Sequence, residues 1–233
     1  MKIALLGYGR MGKEIEKIAL SRGHEIVLKI EGPETYDITD SDIAIDFSIP
    51  SVAFDNISNC LVHGIPVVSG TTGWLDRYDE AVELCEKNNG SFIYASNFSL
   101  GVNLFFELNA KLSSLMNSVE NYSISIEEIH HTKKLDAPSG TAITLAEGII
   151  QNSSKTSWEL DSKSTEETIS IKAIRTPDVP GTHTISYASE VDTLEIKHTA
   201  HSRKGFALGA VVAAEWLVHK KGVYSMKDVL NIG

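Results

Sequence analysis

The chain is poor in cysteine, in basic residues and in long apolar runs, and each shortage removes a class of function. Only two cysteines occur in 233 residues. Cys60 and Cys85 form no Cys-x-x-Cys pair, so neither a disulfide framework nor a cysteine zinc site is suggested, and both read as small buried hydrophobes on helices. Lysine and arginine total 21 against 31 acidic residues, a net charge of −10. That balance argues against nucleic acid or an anionic membrane as partner, because a polyanion is repelled except at a strongly basic local patch. The one such patch spans 130–134. No apolar stretch approaches the ~20 residues that cross a bilayer. The N-terminus runs into a strand without the apolar segment or cleavage site of a signal peptide, so the expected location is cytoplasmic.

What remains is an ordinary globular composition, 42% hydrophobic and 22% charged, in a length that suggests two domains. Residues 2–6 form a short apolar strand that leads into Gly7-Tyr8-Gly9-Arg10-Met11-Gly12. Met11, Ile15, Ile18 and Ala19 then recur at helical spacing, and Gly23 supplies the stop. Strands at 25–30, 43–47, 65–68 and 92–95 alternate with a helix carrying Val52, Ile57, Cys60 and Leu61 and another over 75–88. This rhythm predicts an α/β unit with a Rossmann-like, doubly wound parallel sheet.

The rhythm changes after Asn97. A helix with Leu104, Phe105, Leu108, Leu112 and Leu115 precedes an alternating run at 119–129, and further strands are expected at 168–175, 183–188 and 193–199. Successive strands predict a smaller α+β domain with a mixed or antiparallel sheet and one helix-covered face. Residues 152–164 are polar and read as a mobile surface loop. A last helix at 205–219, with Phe206, Leu208, Val211, Val212, Trp216 and Leu217, is expected to return to the first domain. The expected division is therefore 1–98 with 206–233 for a dinucleotide and 99–205 for substrate.

A lone Gly-x-Gly-x-x-Gly says little, but here a strand precedes it, a helix follows and Glu31 ends the next strand. The glycines permit a tight turn and close approach to a pyrophosphate, and the helix N-terminus offers free amides and a positive dipole end. A carboxylate at Glu31 suits the adenosine ribose and repels a 2′-phosphate, which favours NADH slightly over NADPH. Arg10 and Lys29 work in the opposite direction.

The densest chemistry lies at 127–142. His130 and His131 are adjacent, so at a strand end they point to opposite sides. Neither a helical His-x-x-x-His spacing nor a nearby cysteine accompanies them, and no metal is expected. An imidazole with an ordinary pKa of about 6.5 is a good proton donor near neutrality. Ser139 reads as the N-cap of an apolar helix with Ile143, Leu145, Ala146 and Ile149 on its buried side. Backbone amides at Gly140 and Thr141 would bind a carboxylate. Lys133 and Lys134 add local positive charge that suits an anionic small molecule, although Lys133 also reads simply as a solvated loop charge.

The run Glu-Ile-His-His-Thr-Lys-Lys-Leu-Asp-Ala-Pro-Ser-Gly-Thr-Ala, ending at Ala142, resembles the signature of the 4-hydroxy-tetrahydrodipicolinate reductase (dihydrodipicolinate reductase) family of lysine and diaminopimelate biosynthesis. Supporting matches are Gly9 to Gly12, Asp46-Phe47-Ser48, Ser69 to Gly73, Ala95 to Asn103, and Ser202-Arg203 to Ala210. The resemblance implies NADH or NADPH as cofactor, hydride transfer to C4 of a small heterocyclic dicarboxylate, and departure of its hydroxyl as water. It implies His130 as catalytic proton donor or acceptor and Lys134 as the second proton donor, with His131, Gly140 and Thr141 holding substrate carboxylates. Gly7, Tyr8, Gly9, Arg10, Met11, Gly12, Glu31, Phe47, Gly70, Thr71, Thr72, Ala95, Ser96, Asn97 and Phe98 match cofactor-binding positions. It also implies a homotetramer joined through the 99–205 domain.

The glycine turn is one residue shorter than the usual family pattern, Ile49 stands where many members are polar or basic, and Gly32 rather than a basic residue follows Glu31. All three bear on cofactor preference. The alternatives are a nicotinamide-dependent reductase of another small dicarboxylate, or a dinucleotide sensor without catalysis. Against a sensor stand the His-Lys centre and the absence of a DNA-binding helix pair or basic face.

Overall fold

The computed structural model describes residues 1–32 and 34–232, and the chain divides into two compact units, Met1–Leu100 with Arg203–Gly233 and Gly101–Ser202. The first unit is built on a six-stranded sheet. In chain order its elements are β1 (Lys2–Leu6), α1 (Arg10–Ser21), β2 (Glu25–Ile30), β3 (Ile43–Asp46), α2 (Pro50–Val62), β4 (Val67–Ser69), a 3-10 turn (Leu75–Arg77), α3 (Tyr78–Lys87) and β5 (Ser91–Tyr94). Every pairing is parallel and the order is β11-β5-β4-β3-β1-β2, where β11 is the late strand Gly222–Tyr224.

β1, β3 and β4 are buried along almost their whole length, as strands covered on both faces must be. The helix faces follow from spacing: Ile15 and Ala19 on α1 lie in one apolar core, and Ala53, Ile57, Cys60 and Leu61 on α2 lie in a second on the other face of the sheet. Ile15 is 1% exposed, and truncating such a side chain to alanine costs about 2–5 kcal/mol. Cys60 and Cys85 are free and buried. The strand order reverses between β1 and β3, so a crevice opens at the carboxyl ends of these two strands.

The second unit contains α4 (Leu100–Met116), whose first residue belongs to the first unit, then β6 (Ser123–His130), α5 (Gly140–Gln151), β7 (Ser157–Leu160), β8 (Thr168–Arg175), β9 (Gly181–Ala188) and β10 (Thr193–Ala200). The sheet order is β10-β9-β6-β8-β7. β6 pairs antiparallel with β9 and parallel with β8, so the sheet is mixed. Ile124 and Ile126 of β6 pack with Leu145, Ala146 and Ile149 of α5 in a third core.

Residues 152–164 are not simply a loop: β7 pairs parallel with β8 inside that span. Buried Lys155 fixes its approach by donating to the carbonyls of Thr165 at 2.5 Å and Glu166 at 2.9 Å. The strand is polar and at the sheet edge, so its sequence carries no apolar period. β6 begins at Ser123 rather than at Val119, because the turn after α4 uses the intervening residues. The chain then returns to the first unit as α6 (Lys204–Leu217), β11 (Gly222–Tyr224) and α7 (Met226–Leu230). α6 packs in the core with Ile15 and Ala19 of α1, as its apolar spacing requires. β11 supplies the outer strand beside β5. No helix among the described residues is long and apolar enough to cross a membrane.

Candidate active site

In the first unit two adjoining clefts lie at the switch point. One, of about 160 Å³, is bordered by Gly7, Gly9, Ile30, Glu31, Gly32, Phe47, Ser48, Ile49, Val52 and Asn56. The other, of about 340 Å³, is bordered by Gly9, Arg10, Met11, Phe47, Ser48, Pro50, Gly70, Thr71 and Thr72. Nine of the residues expected to touch a cofactor thus converge: Gly7, Gly9, Arg10, Met11, Glu31, Phe47, Gly70, Thr71 and Thr72.

Gly7 shows why the turn needs glycine, since it has φ of +94° and a Cβ there would run into the Phe47 carbonyl. The amides of Gly7 and Tyr8 both donate to the Ile30 carbonyl, at 2.9 and 2.7 Å. An anion is therefore left with the first turn of α1, whose N-cap Gly9 supplies no side-chain cap.

The other expected positions lie outside the two clefts. Gly12 is buried behind the turn, and the Tyr8 hydroxyl is engaged by Glu16. Ala95 donates to the Ser69 carbonyl at 3.2 Å, and Asn97 accepts the Ser99 amide at 2.9 Å. Ser96 joins them on the segment after β5. Phe98 is 1% exposed and its ring centroid lies 5.7 Å from that of Phe47. A ring so placed supports the cleft wall and leaves only backbone for direct contact.

Lys29 is turned away by an ion pair with Glu16 at 2.5 Å and a position 4.9 Å above the Tyr8 ring. Among the described residues that border the first cleft, Glu31 is accompanied by no lysine or arginine.

Beneath both clefts sits Asp46, 0% exposed. Its carboxylate accepts from Ser48 Oγ at 2.6 Å, Asn56 Nδ2 at 3.0 Å, Ser69 Oγ at 2.8 Å and Thr71 Oγ1 at 2.7 Å. Burial pushes its pKa up, and the hydrogen bonds oppose that shift. The carboxylate ties the ends of β3 and β4 together. The sequence reading quoted Asp46 only within the Asp46-Phe47-Ser48 match and gave it no role, although a lone acid ending an apolar strand was a signal for one.

In the second unit β6 places Ile124, Ile126, Glu128 and His130 on the buried face by two-residue alternation. Glu128, 0% exposed, had no role in the sequence reading, although its phase with the isoleucines marks it. Its Oε2 accepts the Ser139 amide at 3.0 Å, and Arg175 Nη2 donates to its Oε1 at 3.2 Å. Oε2 also lies 3.5 Å from His130 Nδ1 and 3.7 Å from His183 Nε2. Burial would raise this carboxyl, but hydrogen bonds from His183 and Ser139 and the nearby His130 hold it at about 2. Glu128, His130 and His183 bring three ligand-type atoms within 4.8 Å of one another. Both carboxylate oxygens are already committed, one of them to a guanidinium, which suits an ion-paired hub better than a cation site.

His130 is 8% exposed, and burial pushes its pKa down to about 4 against the pull of Glu128. A pKa lowered in this way favours the uncharged ring at neutral pH. His131, half-buried, has an Nδ1 that is buried without a hydrogen bond. Lys134 Nζ is paired with Asp136 at 2.8 and 2.7 Å, while Lys133 is exposed. Ser139 caps α5 as expected, accepting the Ala142 amide at 3.2 Å, and Gly140 begins the helix at an exposed position followed by Thr141. Arg175 Nη2 also donates to the Asp136 carbonyl at 2.6 Å, which pins the segment carrying Lys134.

A parallel sheet with a glycine turn at its switch point, in one chain with a mixed sheet that carries His130 at a strand end, is the arrangement of two-domain dinucleotide-dependent oxidoreductases. The family models described as "Dihydrodipicolinate reductase, N-terminus" and "Dihydrodipicolinate reductase, C-terminus" match residues 1–98 and 101–230. The chain belongs to the dihydrodipicolinate reductase family. It is 60% identical to a 4-hydroxy-tetrahydrodipicolinate reductase of Christiangramia forsetii over 99% of this chain and 98% of that one. Identity to the protein of that name from Thermosipho africanus is 33%, over 99% and 98% of the two chains. A solved dipicolinate-bound dihydrodipicolinate reductase from Paenisporosarcina sp. TG-14 has the same fold, with a TM-score of 0.77 at 22% identity and 97% of each chain covered.

Proposed function

We propose that this chain reduces 4-hydroxy-tetrahydrodipicolinate to tetrahydrodipicolinate with a reduced nicotinamide dinucleotide, a step of lysine and diaminopimelate biosynthesis. The observation that carries this reading is one chain holding both a complete glycine-turn crevice and the strand-end run from His130 to Thr141, in a family whose 60% identical relative bears that name. The first unit binds the dinucleotide: α1 amides and Arg10 meet the pyrophosphate, Glu31 the adenosine ribose, and the 70–72 and 95–98 segments the nicotinamide end.

The dinucleotide supplies the hydride. The second unit supplies charge and protons. Gly140 and Thr141 at the N-terminus of α5, with His131, hold substrate carboxylates. Lys134 Nζ leaves Asp136 for the substrate and donates a proton, and His130 donates or accepts the other. Glu31 at the cleft, with Lys29 held by Glu16, supports NADH over NADPH.

As in the family the resemblance describes, the working form is a homotetramer joined through the second unit's sheet, and the location is the cytoplasm. Size-exclusion chromatography with light scattering tests the assembly, where a monomer counts against it. Supplying enzymatically generated substrate with each reduced cofactor tests the reaction: oxidation of either supports it, and oxidation of neither overturns it.

A further inference from the structure

We propose that Glu128 is a positioning residue for this reaction: it keeps the proton of neutral His130 on Nδ1, leaving Nε2 as the reactive nitrogen, and fixes the strand end to the N-terminus of α5. The inference deepens the reductase reading and rests on His130 being part of it. The observation is geometric. His130 Nδ1 is buried, makes no full hydrogen bond, and faces Glu128 Oε2 at 3.5 Å. A lone pair on Nδ1 would face carboxylate lone pairs in a site of low dielectric, whereas an N–H there is attracted to them.

Nε2 lies on the other edge of the ring against Gly181, where a Cβ would stand only 3.1 Å away, so the glycine leaves that nitrogen room. The same Oε2 accepts the Ser139 amide at 3.0 Å, and Ser139 Oγ lies 3.1 Å from His183 Nε2. One carboxylate thereby sets both the imidazole and the first turn of α5.

Charged and titratable groups face it from several elements. His130 comes from β6, His183 from β9 opposite Glu128, and Arg175 from β8 opposite His130. Lys134 and Asp136 come from the connecting segment, with Arg175 holding the Asp136 carbonyl. Arg175 bonds to Oε1, so Oε2 remains for the histidines and Ser139. A residue that served only to neutralise Arg175 would not need to present its second oxygen to His130, Ser139 and His183 at once.

The test is made on the full chain labelled with 15N-histidine. Two-bond proton–nitrogen spectra at neutral pH, assigned with His130→Gln, are expected to show the His130 proton on Nδ1 in the wild type. In Glu128→Gln, kcat is expected to fall at least tenfold with the KM for reduced dinucleotide within twofold, and His130 to titrate at lower pH. Glu128→Asp, which keeps the charge, is expected to retain more turnover than Glu128→Gln. A proton on Nε2 in the wild type, or wild-type kcat in Glu128→Gln, overturns the proposal. If Glu128→Gln fails to fold by circular dichroism, the wild-type tautomer decides alone. Absence of turnover in the wild type counts against the reductase reading instead, because the tautomer is read without substrate.

Discussion

Thr71 Oγ1 donates to Asp46 Oδ2 at 2.7 Å while accepting the Ser48 amide at 2.8 Å, so one hydroxyl just after β4 holds both the buried carboxylate that ends β3 and the backbone beyond it. Since Thr71 borders the larger cleft and Ser48 borders both, the contact makes cleft shape depend on Asp46. Replacing it by asparagine exchanges two acceptor sites for donors that face Ser and Thr hydroxyls. Asp46→Asn is expected to cost on the order of 1–3 kcal/mol in urea unfolding and to weaken NADH binding measured by fluorescence titration. Unchanged values for both would show that the network is dispensable.

Lys134 sits on a largely exposed carboxylate partner, Asp136, and such pairs contribute about 0–1 kcal/mol. Lys134→Ala is therefore expected to keep its thermal midpoint while losing about 10²–10⁴-fold in kcat, the range for loss of a proton donor. Steady-state kinetics alongside a melting curve checks both halves. Wild-type turnover removes Lys134 from the mechanism.

Acid should weaken the protein in two stages. His130 has its pKa lowered from 6.5 to about 4 by burial, so the unfolded chain binds the extra proton first and stability falls as pH drops from 6.5 towards 4. The effect is on the order of 3 kcal/mol. Glu128 is depressed from 4.5 to about 2, and its contribution, present above 4.5, is lost as pH falls through that lower window. Urea midpoints measured against pH should show the upper stage shrink in His130→Gln, and an identical slope in that variant would assign it to other groups.

Cofactor choice should respond to Glu31. With Lys29 paired to Glu16, removing the charge at Glu31 lifts repulsion of a 2′-phosphate without adding a cation. Glu31→Gln is expected to improve kcat/KM with NADPH relative to NADH by roughly tenfold, about 1.4 kcal/mol. An unchanged ratio would place the discrimination elsewhere.

Much of this was legible in local patterns. The strand-glycine-helix opening, the alternation of strands and helices through β5, and Ser139 as an N-cap are short-range features, and the structure contains them. β7 and β11 were not legible because a short edge strand needs no apolar period; Trp158 is the one large apolar residue packed from β7. The proposed cofactor residues could be named from motifs, but the Asp46 hub reaches Ser69 and Thr71, 23 and 25 positions further along the chain, through a carboxylate to which the Asp46-Phe47-Ser48 motif assigned no role. Glu128, Arg175 and His183 meet only because β6 lies between β8 and β9, a pairing that sequence order does not give. The burial that lowers the pKa of His130 was hidden for the same reason, since it arises from that sheet.

The most direct measurement of the central claim is the absorbance of reduced nicotinamide when the full chain is mixed with freshly generated 4-hydroxy-tetrahydrodipicolinate. Rapid oxidation of NADH, slower oxidation of NADPH and formation of tetrahydrodipicolinate are the expected result. Binding of the dinucleotide with no oxidation of either cofactor would contradict it.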